Sequence, residues 1–134
     1  MNYLIAEFKA DNDYLHHFEL LLKTKLGFEP VMSWHAQTGD KPKMFNTRED
    51  AQNYYDEIKG DISQVKWDSD KRIVFVPAQD GDIEHYEIKE KGLFKWTSVM
   101  TWHPMSGDRP AMFDTWAKAK LSLDESNRTK KLRF

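Results

Sequence analysis

The chain contains no cysteine. That excludes disulfides, thiolate zinc sites and cysteine nucleophiles, and it fits a reducing compartment. No apolar run approaches the ~20 residues a membrane span needs. The opening MNYLIAEFKADND has neither a basic n-region nor a long apolar h-region. A cytoplasmic location without a membrane partner is the expectation. Catalytic signatures are just as scarce. There is no Gly-x-Ser-x-Gly elbow, no phosphate-cradling glycine-rich loop and no His-Glu-x-x-His. The chain therefore reads as non-enzymatic, with no catalytic residue, cofactor or metal.

A basic body is missing too. The net charge is −2. Residues 126–134 carry Arg128, Lys130, Lys131 and Arg133 and no acid, a local +4 that leaves −6 on residues 1–125. Duplex DNA draws most of its affinity from cations on phosphates, so a body of this sign suits it poorly. The basic stretch reads as a solvated C-terminal tail. At 134 residues the chain suits one compact domain, and 13% aromatics with 40% hydrophobic residues argue that it folds.

What the sequence does have is a repeat. Residues 31–47 read VMSWHAQTGDKPKMFNT and residues 99–115 read VMTWHPMSGDRPAMFDT, a gapless match at an offset of 68 with ten of 17 positions identical. Four more positions exchange like for like, including Lys41/Arg109. Such density marks an internal duplication, and it divides the chain into a first repeat (1–60), a linker (61–70), a second repeat (71–125) and the tail (126–134). Repeats of about 60 residues are marginal alone, so they are expected to pack as one compact domain.

Each half predicts the same series. A short apolar strand (1–10; 72–78) runs into an acidic turn, Asp11-Asn12-Asp13 or Asp80-Gly81. A second strand follows. YLHHFELLLK (14–23) also has helical spacing, but its partner IEHYEIKEK (83–91) alternates like a strand, with His17/His85 and Glu19/Glu87 in register. A third strand spans 28–35 and 96–103, within an aromatic and β-branched stretch. Gly and Pro then predict a hairpin loop over 37–42 and 105–110, and a short strand (43–45; 111–113) leads into a helix. Thr47 and Thr115 offer N-cap hydroxyls, Ala51, Tyr54, Tyr55 and Ile58 make a buried stripe, and Gly60 is a stop. Trp116, Ala119 and Leu123 are the second helix's stripe, and a short strand is expected around 65–67. The fold class is α+β, a tandem of ββββα units with antiparallel sheets, and the aromatics mostly form the core.

The step from Phe45 and Thr47 into a helix bearing Ala51 and Tyr55, repeated by Phe113, Thr115, Ala119 and Leu123, resembles the small three-strand-plus-helix units of AP2-like and integrase N-terminal type. That resemblance implies a sheet face that grips DNA. In layout, tandem four-strand-plus-helix units are also similar to single-strand binders of the whirly and Pur type.

Residues 31–47 match closely while the helices after them share three of 11 positions. Gly39, Pro42, Met44, Phe45 and Thr47 have structural jobs. Trp34, His35, Asp40 and Lys41, repeated by Trp102, His103, Asp108 and Arg109, are harder to ascribe to geometry, because loop charges contribute little to stability. They form the candidate partner-binding edge. A hairpin could bring His17 near His35, and His85 near His103, as metal ligands, but no acidic residue completes a recognisable spacing. The expectation is a small binding protein that docks on a macromolecule, foremost a protein, of the accessory or inhibitor kind that phages and mobile elements encode. The alternative is single-stranded nucleic-acid binding through sheet aromatics, with Lys41, Lys43, Arg109, Arg128, Lys130, Lys131 and Arg133 on phosphates.

Overall fold

The computed structural model describes residues 2–11, 14–37, 39–65, 71–79, 83–104 and 107–132; the side chains of His35, Trp102, His103 and residues 126–132 fall outside the description. The chain is antiparallel sheet with two helices, of α+β class, in two compact units, Met1–Trp67 and Asp68–Phe134.

The first unit runs β1 (Tyr3–Phe8), β2 (His17–Thr24), β3 (Gly27–Pro30), β4 (Met32–His35), β5 (Gly39–Pro42), β6 (Met44–Phe45) and α1 (Arg48–Ile58). After β1, the Tyr14 amide donates to the Asp11 carboxylate and the Asp11 amide to the Tyr14 carbonyl, so the aspartate closes its own turn. The ambiguous segment after it is strand β2, the centre of the unit. It pairs antiparallel with β1, with β3 and with β6. Strand geometry wins because β2 has hydrogen-bonding neighbours on both edges, which helical periodicity alone does not reveal. Helix α1 packs on β1, β2 and β6. The Thr47 hydroxyl accepts the Asp50 amide at 3.0 Å, capping its start, and Gly60 at φ +75° reverses the chain at its end. Ala51 and Tyr55 are buried with Leu20, Leu22, Val31, Phe45 and Val65, and Tyr54 and Ile58 pack against that cluster. Tyr3 stacks on Tyr55 at 3.7 Å between ring centres, and its hydroxyl donates to Gln52.

A 3₁₀ turn, Ile62–Gln64, held at its start by Asp61, delivers Val65 to this core. Val65 is not in a strand, in contrast to the expectation for 65–67, because its amide bonds back to the Ile62 carbonyl; residues 66 and 67 lie outside the described residues.

The second unit runs β7 (Lys71–Val76), β8 (His85–Lys91), β9 (Trp96–Ser98), β10 (Met100–His103), β11 (Gly107–Pro110) and α2 (Trp116–Leu132). Strand β8 pairs with β7 and β9, and a lone bridge from Tyr86 to Phe113 stands where Phe18 and Phe45 pair in the first unit. Helix α2 packs on β7 and β8 and buries Trp116, Ala119 and Leu123, with the Thr115 hydroxyl accepting the Lys118 amide. It continues to Leu132. Residues 126–132 are thus the last turns of a helix rather than a separate tail.

Two further expectations need correction. The third strand of each half is two strands, broken at Val31 and at Val99. The hairpin loop is also shorter than Gly and Pro suggest, since Gly39–Pro42 and Gly107–Pro110 are themselves strands β5 and β11. Pro42 and Pro110 are tolerated because β4–β5 and β10–β11 are two-stranded ribbons, where no third strand among the described residues needs the missing N–H. Gly39 and Gly107 take φ +77° and +73° as the ribbon turns back, and a Cβ built on either meets nothing within 4 Å among the described residues. Substitution there meets backbone strain alone. Gly39→Ala is expected to lower stability by about 1 kcal/mol and Gly39→Asn by less, because asparagine tolerates the left-handed region. Urea midpoints check this; a neutral Gly39→Ala would mean that the turn relaxes.

Candidate functional site

The repeated segment folds in each unit as a β-ribbon arm. Among the described residues strands β4 and β5 pair only with each other, in the register Met32–Pro42, Ser33–Lys41, Trp34–Asp40 and His35–Gly39. The second arm repeats it as Met100–Pro110, Thr101–Arg109, Trp102–Asp108 and His103–Gly107. The Val31 amide donates to the Leu20 carbonyl, and the Val31 carbonyl accepts the Lys43 amide. At the offset of 68 the same bonds join Val99 to Ile88 and to Ala111. A single valine thus leaves the sheet and founds the arm.

Directly paired residues share one face of a ribbon, and successive residues alternate faces. One face of the first arm is therefore Met32, Pro42, Trp34 and Asp40. Met32 and Pro42, at the root, are buried, whereas Trp34, one step outward, is 64% exposed. An apolar stripe that begins in the core runs out into solvent and ends in an indole ring beside a carboxylate. The opposite face carries Ser33 and half-buried Lys41. The structure thus joins Trp34 to Asp40 and sets Lys41 on the other side. His35 pairs with Gly39 through the backbone, and its side chain lies outside the described residues, as do those of Trp102 and His103. Asp108 is exposed, and the Arg109 guanidinium turns inward to the Met112 sulfur at 3.3 Å.

Of the remaining candidate cations, Lys43 is the one whose side chain is among those described. The Lys43 ammonium lies over the rings of Tyr54 and Phe45, at 5.2 and 5.8 Å from their centres. Arg128, Lys130 and Lys131 are on α2, their side chains outside the described residues, and Arg133 lies outside them altogether.

The strand histidines are engaged in hydrogen bonds to residues within or just before their own strands. His17 is buried on β2; its Nδ1–H donates to the Leu15 carbonyl at 2.8 Å and its Nε2 meets the Glu19 carboxylate at 2.8 Å. A carbonyl only accepts, so Nε2 can meet an ionised Glu19 only as a second donor, which makes the ring an imidazolium. Phe8 stacks on it and Tyr14 meets it edge-on. His85 repeats the bonds, to the Ile83 carbonyl at 2.8 Å and to Glu87 at 2.6 Å. Both ring nitrogens of each histidine are taken. Among the described residues no group of three or more His, Asp or Glu side chains gathers as a metal site would require.

Sequence reasoning missed two features. Glu29 is fully buried and accepts a hydrogen bond from the Thr24 hydroxyl; its place in the short strand after Gly27 gave no signal. Leu93 and Phe94, within the aromatic-rich stretch, are 90% and 93% exposed at the β8–β9 turn. Phe94 and Trp34 are the exposed aromatic side chains among the described residues; the others are buried or half-buried, in line with the expectation that the aromatics mostly form the core. Gly92 was the available clue. A Cβ there would sit 2.9 Å from the Lys95 carbonyl, so the chain turns tightly before the strand begins. No family model, curated protein or solved structure matches this chain.

Burial of the His17 ring works against its charge, but the Glu19 carboxylate and the Leu15 carbonyl outweigh it and hold its pKa above the ordinary histidine value. A raised pKa means that the pair's contribution to stability is complete below the unfolded value of about 6.5 and is lost as pH climbs through the higher folded value. The stability gap between the native chain and the neutral His17→Gln, Glu19→Gln double variant is therefore expected to be widest near pH 6 and to narrow toward pH 9. Urea titrations across that range test it, and a flat gap would reject a charged His17.

Proposed function

We propose that this is a small non-enzymatic binding protein built from a duplicated strand-and-helix unit, and that it docks on a protein partner through the arm carrying Trp34. The exposed indole at the end of the buried Met32–Pro42 stripe carries this reading. A tryptophan side chain buries roughly 150–250 Å² when covered. At about 25 cal/mol per Å², covering the exposed part is worth about 3 kcal/mol before ordering costs. Aromatic anchors ringed by charge are the usual energetic centre of protein interfaces, and Asp40 supplies such a rim at the register position opposite the ring. The same carboxylate argues against stacked nucleic acid as the occupant. A base on Trp34 would bring its phosphates toward Asp40, on a chain whose residues 1–125 carry −6. An accessory or inhibitor role fits this arrangement.

Trp34→Ala is expected to leave the circular dichroism spectrum and the urea midpoint near those of the native chain, since the ring is mostly exposed, and to weaken partner capture from cell lysate by about 2 kcal/mol or more, some 30-fold. Trp34→Phe is expected to keep part of the binding. Undiminished capture by Trp34→Ala, or loss of its fold, would overturn the reading.

A further inference from the structure

The two units differ beneath their arms. The seventh residue after the capping threonine is Tyr54 in α1 and Ser122 in α2. In the first unit the Tyr54 ring packs against Phe45 with centres 5.6 Å apart, and the Lys43 ammonium lies over it. In the second, Ala111 stands where the first has Lys43, and the smaller pair leaves a groove of about 500 Å³ lined by Val99, Met100, Pro110, Met112, Phe113 and Ser122. The arm residues register the vacancy. Met32 is 8% exposed and its counterpart Met100 51%. Pro42, Val31 and Phe45 are buried, whereas Pro110, Val99 and Phe113 are half-buried.

We propose that this groove is a binding site for an aromatic side chain, tyrosine or phenylalanine, next to an acidic residue in a partner polypeptide. The inference rests on the docking role proposed above and adds to it a second contact of defined chemistry. Three observations support the occupant. The first unit fills the equivalent position with a tyrosine ring. The volume lies in the range of small-molecule pockets, roughly 300–1,000 Å³, and two methionines line it, whose thioethers adapt to and attract ring edges. The charge is complementary as well. Among the described residues Arg109 is the groove's cation and no carboxylate lines it; a guanidinium attracts both the face of an aromatic ring and a neighbouring carboxylate. Beyond Met100 and Pro110 a shallower groove continues past Lys89 and Lys95, with Glu90 its one acid among the described residues. Lys89 is held by Glu87 and Ser98, which leaves Lys95 to meet an acidic residue flanking the anchor.

The test uses the full chain with ¹³C-methyl methionine and three probes. These are p-cresol, the tyrosine side chain alone; 4-hydroxyphenylacetate, the same ring with a carboxylate; and tyramine, the same ring with an ammonium. The expected result is a saturable shift of the Met100 and Met112 methyl signals with Met32 and Met44 unmoved, and tighter binding of 4-hydroxyphenylacetate than of tyramine. Ser122→Tyr, which places the first unit's ring in the groove, is expected to weaken p-cresol by about tenfold or more, equal to about 1.4 kcal/mol. No shift at saturating p-cresol, an undiminished shift in a folded Ser122→Tyr, or tyramine binding as tightly as 4-hydroxyphenylacetate would overturn the assignment. Ser122→Leu makes the same comparison should the tyrosine variant misfold; failure of both to fold would show that the space does not exist and would overturn it too. None of these outcomes depends on Trp34, so a failed groove leaves the docking role standing, and a failed Trp34→Ala test leaves the groove measurable.

Discussion

Everything distinctive in this protein hangs on the backbone of one valine in each unit. Val31 gives its amide to Leu20 in the central strand and its carbonyl to Lys43, and in doing so ends one sheet pairing and begins another. Its side chain is buried in the core formed by Leu20, Leu22, Phe45 and α1. The hydrogen bonds and the apolar burial fix the same point, so the arm leaves the unit in one direction and with one face down. Were the register of β4 on β5 to slip by one residue, Trp34 would exchange faces with Ser33. The buried Met32 and Pro42 oppose that slip, because it would draw them out of the interior.

The chain maintains the same construction 68 positions on, with Val99 bonded to Ile88 and Ala111, yet the space under the second arm is filled differently. Backbone hydrogen bonds are insensitive to the side chains around them, whereas close packing is not. Exchange of Tyr54 for Ser122 and of Lys43 for Ala111 therefore leaves the ribbon's register intact while it opens the contact between arm and helix. One arm is seated on a filled core and the other stands above a groove, a difference that two otherwise matching segments can carry at little structural cost.

The histidine–glutamate pairs, fully buried at His17–Glu19 and with Glu87 half-buried in the second, belong to the same scaffold. A carboxylate inside a strand is costly unless it is paired and hydrogen-bonded. His17 and His85 answer Glu19 and Glu87 from two residues away on the same face of the strand, with their second ring nitrogen anchored on the backbone. These pairs sit on the central strands, and Glu87 also accepts from the Ser98 hydroxyl just before the second arm begins.

The sequence alone was sufficient for whatever depends on local periodicity and capping. That covers the α+β class, the helix starts at Thr47 and Thr115, the stop at Gly60, the apolar stripes of both helices, and the choice of strand for residues 14–23 once residues 83–91 were laid beside them. It also singled out residues 31–47 and 99–115, because repetition is visible without coordinates. Tertiary structure decided what depends on partners distant in the chain. It broke the third strand at Val31, drew Gly39–Pro42 into a ribbon, carried α2 to Leu132, put Trp34 and Asp40 on one face with Lys41 on the other, and exposed Phe94. A strand's pairing partner, and the face it turns to solvent, are set by the surfaces left over after the rest of the chain has packed. Residue spacing within a segment carries no record of those surfaces.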